Sequence, residues 1–239
     1  MLTVIIDADD TLWENNVYYE RCLADFVDLM AEYGFDPQEA EQTMAVVERE
    51  RVPEVGYAPE EFARSLVVTY ERLCERHGLP ADESIADTVF DIGLIVAHYP
   101  MVLLDGVEET LERLNGRYRL ILLTKGDQAV QEEKLARSGL GQYFDAIHVV
   151  AEKDADVFHD LIARYDLHPE RTWMVGNSPR SDINPAVEAG IGAVYVPHPN
   201  TWNLEVEEIA EPERVCILDA FSDLTALLAG FERDQQAQP

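Results

Sequence analysis

The sequence predicts an α/β fold: a parallel sheet with helices on both faces and a helical bundle inserted after the first strand. Three observations lead there. Apolar runs of strand length, bounded by turn residues, recur at 2–6, 119–123, 146–150, 173–175 and 193–196, with a weaker one at 215–218. Helix-like stretches at 107–114, 128–137, 157–165 and 183–189 lie between most of them, and strand alternating with helix implies a parallel sheet. The third observation is a gap. The first strand ends near Asp7, the next clear strand begins near Arg119, and residues 16–98 between them read almost entirely as helix.

Within that gap, 18–33 places Tyr19, Cys22, Leu23, Phe26, Leu29, Met30 and Tyr33 on a stripe of helical period. Pro37 stands where a first helical turn tolerates it, before 40–51, and Pro59 similarly precedes 62–76. Gly78-Leu79-Pro80 punctuates, and a fourth segment covers 85–98. Four helices of this length can bury their own core. The expected organisation is therefore a catalytic core from 1–15 and 99–231, an inserted helical domain at 16–98, and a polar, frayed tail at 232–239. There is no internal repeat.

Composition narrows the function. The 239 residues carry 47 Asp and Glu against 18 Lys and Arg, a net charge of -29. Such a surface repels nucleic acid and anionic membranes, so neither is expected as a partner. Only three residues are lysine: Lys125, Lys134 and Lys153. The three cysteines, Cys22, Cys74 and Cys216, are far apart and odd in number, which suits free thiols in a reducing compartment. No signal segment and no run long enough to span a membrane is visible, so a cytoplasmic protein is expected.

Asp7, Asp9 and Asp10 crowd the end of the first strand. Like charges there must be used, neutralised or carried into water. Thr124, Lys153, Asn177 and Asp182 also lie just past strand ends, and in a parallel sheet these ends converge on one edge. Carboxylates, a hydroxyl, an ammonium and an amide then face one crevice. A hard dication such as Mg2+ takes oxygen ligands of this kind and would relieve the repulsion. Thr124 and Lys153 suit a phosphoryl group, whose transfer asks mainly for positioning and charge stabilisation. An aspartate can itself be the nucleophile.

These residues resemble the four motifs of the haloacid dehalogenase superfamily. Asp7-Ala8-Asp9-Asp10-Thr11 resembles the first motif, Thr124 in Leu122-Leu123-Thr124-Lys125-Gly126 the second, and Lys153 in Ala151-Glu152-Lys153 the third. Gly176-Asn177-Ser178-Pro179-Arg180-Ser181-Asp182-Ile183 resembles the fourth, with Ala189-Gly190 following. The resemblance spans residues 1 to about 200 and implies a Rossmann-like core with a helical, C1-type cap. It implies that Asp7 attacks phosphorus and that Asp9 is general acid, then base, with a pKa above that of a free aspartate. It further implies that Thr124, Lys125 and Lys153 bind the phosphate. Mg2+ would be held by Asp7, the Asp9 backbone carbonyl, Asn177 and Asp182.

Two positions depart from the pattern: Asp10 stands where many relatives have Gly, and Asn177 where Asp is frequent. Asp10 is expected to point to solvent or cap a helix, and Asp182 can also be an N-cap. Trp13, Glu14, Asn15, Asn16, Tyr18 and the stretch 51–57 are read as cap packing or hinge before substrate contact; His198 and Trp202 are read as structural. The expected function is Mg2+-dependent hydrolysis of a small phosphorylated metabolite through an aspartyl-phosphate, by a monomer or homodimer whose cap closes over the core. A 2-haloacid dehalogenase of the same fold has no use for Asp9. A phosphomutase shares the aspartyl-phosphate. A receiver module lacks the insertion, and an inactive phosphate-binding protein is the further alternative.

Overall fold

The structure, a computed structural model, describes residues 1–236. The chain divides into two compact units, Asn15–Pro100 and the remainder, Met1–Glu14 with Met101–Pro239.

The Asn15–Pro100 unit is built from α1 (Asn16–Glu32), α2 (Pro37–Val55), α3 (Pro59–His77) and α4 (Glu83–Leu94). Asp36 caps α2 by accepting from the Glu39 N–H, with Pro37 in the first turn, and Asp82 caps α4. Their apolar faces enclose Phe26, Met30, Met44, Leu66, Tyr70 and Leu73. On α1 the buried stripe comprises Tyr18, Cys22, Phe26, Val27 and Met30. Tyr33, expected on that stripe, is 50% exposed because the helix ends before it. Helix α2 passes through Pro53 to Val55, into the stretch read as a connection. A proline in the last turn removes a single intrahelical bond, and the Gly56 N–H still reaches the Val52 carbonyl at 2.9 Å.

The other unit holds six strands: β1 (Thr3–Ile6), β2 (Arg119–Lys125), β3 (Ala146–Val150), β4 (Thr172–Gly176), β5 (Gly192–Tyr195) and β6 (Val215–Ile217). All pair in parallel, in the order β3-β2-β1-β4-β5-β6. The helices are α5 (Val107–Leu114), α6 (Gln128–Ser138), α7 (Ala155–Tyr165), α8 (Asn184–Glu188) and α9 (Leu224–Gln236). Val4, Ile6, Leu120, Leu122 and Val175 pack on one face of the sheet; Ile5, Ile121, Leu123 and Met174 pack on the other. This is the alternation a doubly covered sheet demands. Helix α9 continues through Gln236, into the stretch expected to fray; residues 237–239 lie outside the described ones. No helix among the described residues is long and apolar enough to cross a membrane.

Strand β1 lies at the point where strand order reverses, between β2 and β4. Open parallel sheets bind ligands beyond the carboxyl ends of strands at such a switch. Asp7 is the first residue past β1, and its N–H bonds the Val175 carbonyl of β4 at 2.9 Å.

Candidate active site

Past Asp7 the chain folds back on itself: the N–H groups of Thr11 and Leu12 both reach the Ala8 carbonyl. This turn aims the Thr11 hydroxyl back at Asp7 Oδ2, 2.9 Å away, and at Asn177 Oδ1, 3.2 Å away. Asp10 takes a left-handed conformation, φ 58°, which suits glycine, asparagine or aspartate. That conformation gives a physical reason for the glycine frequent at this position in the superfamily. Contrary to expectation, Asp10 does not point to solvent. It is buried, with Oδ1 3.8 Å from His198 Nδ1, and Glu14 Oε2 lies 3.5 Å from Nε2 of the same ring. Asp10, Glu14 and His198 form a carboxylate–imidazole group whose ligand atoms lie within 4.8 Å of one another.

Lys153 enters from the loop after β3 and bridges two carboxylates. Its ammonium bonds Asp7 Oδ1, and Asp182 Oδ1 at 2.7 Å. All three residues are at most 5% exposed. Burial alone would lower the Lys153 pKa, but Asp182 and Asp7 outweigh it and hold the ammonium charged. Burial, then the Asp7 charge, push the Asp182 carboxyl up to about 7, against the pull of Lys153. Both directions express one fact: two desolvated carboxylates share one cation, so the cluster is short of positive charge.

Asp182 reaches this cluster through an unusual turn. Residues Pro179–Ile183 form one wide π-type turn ahead of α8, where a helix from Ile183 was expected. Pro185 has no N–H to bond back into the turn, which favours the change of register. Asp182 does not cap α8. Its Oδ2 accepts from the Ser178 N–H at 3.0 Å, while Ser178 Oγ accepts from Ser181 N–H at 2.9 Å. Gly176 makes room: a Cβ there would lie 2.1 Å from Asp182 Oδ2. Asn177 is anchored from both ends, its N–H donating to Thr11 Oγ1 and its Nδ2 to Thr201 Oγ1, each at 3.1 Å.

The Thr124 hydroxyl, near the end of β2, is buried without a hydrogen-bond partner among the described residues. Lys125, read as a phosphate ligand, is tied to Glu205, to Ser181 Oγ at 3.0 Å and to Glu152 at 3.7 Å. Glu205 also accepts from Ser178 Oγ at 2.6 Å, so it fastens the end of β2 to the π-type turn. Burial opposes its charge, but Lys125 and the two serine hydroxyls hold its carboxyl below the usual range. No motif pointed to Glu205.

Asp9 differs most from expectation. Its oxygens accept from Trp13 Nε1 at 2.7 Å, Gln131 Nε2 at 2.9 Å and Lys134 Nζ at 2.9 and 3.0 Å. Burial raises its pKa, but the Lys134 charge and the hydrogen bonds of Lys134, Gln131 and Trp13 together outweigh it. The carboxyl sits below its ordinary value, not above it: the nearest ion is an ammonium rather than another carboxylate. Trp13 is 1% exposed and packs in the core. The signal available in sequence was the scarcity of lysine together with the i, i+3 spacing of Gln131 and Lys134 on one helix face.

Asp7, Thr11, Lys153, Asn177 and Asp182 thus meet at the carboxyl ends of β1, β3 and β4, and Thr124 stands near the end of β2, the strand next to β1. A buried aspartate past the first strand, bonded to a lysine and facing a carboxylate-bearing turn at the edge of a parallel sheet, is the arrangement that the resemblance to the haloacid dehalogenase motifs implies. The haloacid dehalogenase-like hydrolase family matches residues 1–190, and the chain belongs to it. Among its relatives, the human N-acylneuraminate-9-phosphatase is 25% identical over 197 residues, covering 80% of this chain and 79% of that protein. The mouse enzyme of the same name is 28% identical over 128 residues, and there the match spans about half of each chain, 52% and 52%. A haloacid dehalogenase-like family hydrolase from Xanthomonas campestris superimposes with a TM-score of 0.81 at 28% identity, covering 100% of this chain and 99% of that one.

Proposed function

We propose that this protein hydrolyses small phosphorylated metabolites, with Asp7 as nucleophile and Mg2+ as cofactor. The observation that carries the reading is that two buried carboxylates, Asp7 and Asp182, share the Lys153 ammonium, while the Thr124 hydroxyl on the neighbouring strand β2 is buried with no hydrogen-bond partner among the described residues. A site short of positive charge with an orphaned donor is the complement of a cation and a phosphoryl group. The donor set is all oxygen, as Mg2+ prefers: Asp7, Asp182, the Asn177 amide oxygen and the Asp9 backbone carbonyl would hold it. When bound, the ion offsets the charge of the approaching phosphate.

In the first half of the reaction a carboxylate oxygen of Asp7 attacks phosphorus. The bond to the ester oxygen breaks, and the departing alkoxide takes a proton from Asp9, which must take up that proton before the attack because Lys134, Gln131 and Trp13 favour its ionised form. In the second half Asp9 takes a proton from water, whose oxygen attacks the aspartyl-phosphate; inorganic phosphate leaves and the Asp7 carboxylate is restored. Lys153 and Thr124 hold the phosphoryl oxygens throughout, and Lys125 steadies the rim through Glu205. The helical unit at Asn15–Pro100 serves as the cap that selects the substrate and excludes water. The relatives' names include phosphatases of a phosphorylated sugar acid and of phosphoserine, which supports a small phosphomonoester as the substrate class. Asp9 weighs against carbon–halogen cleavage, which needs no acid there.

The test is a screen of phosphorylated metabolites with Mg2+, run beside Asp7→Asn. The variant is nearly isosteric and is expected to keep the circular dichroism and melting behaviour of the parent while losing at least about 10³-fold in turnover. Equal activity in the two proteins removes Asp7 as nucleophile.

A further inference from the structure

We infer that Lys134 and Gln131, one turn apart on α6, are positioning residues that orient the Asp9 carboxylate for proton transfer; this rests on the function proposed above. The chain has three lysines among 47 acidic residues. Two of them hold carboxylates: Lys153 the buried Asp7 and Asp182, Lys125 the half-buried Glu205. The third, Lys134, lies 2.9 and 3.0 Å from the two oxygens of Asp9, and both side chains are largely buried. Gln131 Nε2 has two hydrogens and uses both. One goes to Asp9 Oδ2 at 2.9 Å, the other to the Lys125 carbonyl at the end of β2 at 3.1 Å. Gly126 leaves the space for it, since a Cβ there would approach Gln131 Nε2 to 3.0 Å. Trp13 Nε1 completes the set from the opposite side.

Each carboxylate oxygen of Asp9 therefore has two donors, drawn from α6 and from the loop after β1. The plane of the carboxylate is fixed, and with it the direction from which a proton is given or received. Proton transfer depends on heavy-atom distances of hydrogen-bond length, so a carboxylate free to rotate is a poor acid and base. A plain structural ion pair fastening α6 to the β1 loop would show the same contacts. The two roles separate by chemistry. A structural pair, once lost, slows every substrate alike. A positioning pair slows most those substrates whose leaving group needs a proton.

The experiment compares phenyl phosphate, a poor leaving group, with p-nitrophenyl phosphate, a good one, in the presence of Mg2+. The measured quantity is kcat/KM, which reports only the steps up to departure of the alcohol. In Lys134→Met, kcat/KM for phenyl phosphate is expected to fall about 10²-fold while that for p-nitrophenyl phosphate changes less than about threefold. Lys134→Arg should recover most of the loss, and Gln131→Leu should shift the ratio in the same direction by a smaller factor. If Lys134→Met does not fold, Gln131→Leu carries the test alone. Equal losses on both substrates, or none, overturn the inference and leave the proposed function standing. Failure of the unaltered protein to hydrolyse either substrate or any metabolite overturns both.

Discussion

Asp182 is fully buried and shares the Lys153 ammonium with Asp7. Its carboxyl is held near pH 7 against an ordinary value of 3.8, so the folded protein keeps a proton that the unfolded chain has already shed. Stability from this group is complete below about pH 3.8 and is lost as pH rises through about 7, an effect on the order of a few kcal/mol. Urea denaturation in EDTA should therefore show the parent losing stability relative to Asp182→Asn between about pH 4 and 7. A difference between the two proteins that stays constant with pH would contradict the assignment. At this scale the motifs pick out Asp7, Asp9, Lys153 and Asp182, because their types and spacing are written in short local stretches. They did not disclose each group's charge environment: Asp9 was expected among negative neighbours and lies against Lys134, more than a hundred positions away.

At the scale of elements, the strands were legible almost to the residue, because β-periodicity and turn residues are local. The Pro179–Ile183 turn was not. The sequence reads as helix only from Ile183, whereas Pro185, the Asp182–Ser178 bond and Glu205 from a distant loop favour a wide turn ahead of it. The turn also depends on Gly176 at the end of β4. Gly176→Ala would place a methyl group 2.1 Å from Asp182 Oδ2, and Asp182 must move out of reach of Lys153 or Ser178. The expected result is a loss of about 1–3 kcal/mol in stability, as overpacking commonly gives, together with loss of phosphatase turnover. A Gly176→Ala protein with the parent's melting temperature and activity would mean that Asp182 is not needed in this pose.

For the whole molecule, the insertion leaves and re-enters one place. The Glu14 N–H bonds the Val102 carbonyl at 2.9 Å, and Trp13 pairs with Leu103 across the same junction. The two apolar clusters flanking the sheet draw only on residues outside Asn15–Pro100. A chain with Asn15–Pro100 replaced by a short Gly/Ser linker is thus expected to fold, with α/β circular dichroism and a cooperative thermal transition. A non-cooperative melt with exposed apolar surface would show that the sheet unit depends on the inserted helices.

The sequence by itself determined the order of strands and helices and the run of four helices between the first strand and the second. Each of these is encoded in the period and chemistry of neighbouring residues. Only the tertiary structure decided who partners whom: Lys153 between Asp7 and Asp182, Lys134 and Gln131 on Asp9, Glu205 beneath the turn, Asp10 inward beside His198. Those pairings join residues up to 188 positions apart, as Asp10 and His198 are. They are set by where the loops return over the sheet edge, and burial there turns a list of charges into one balanced cluster.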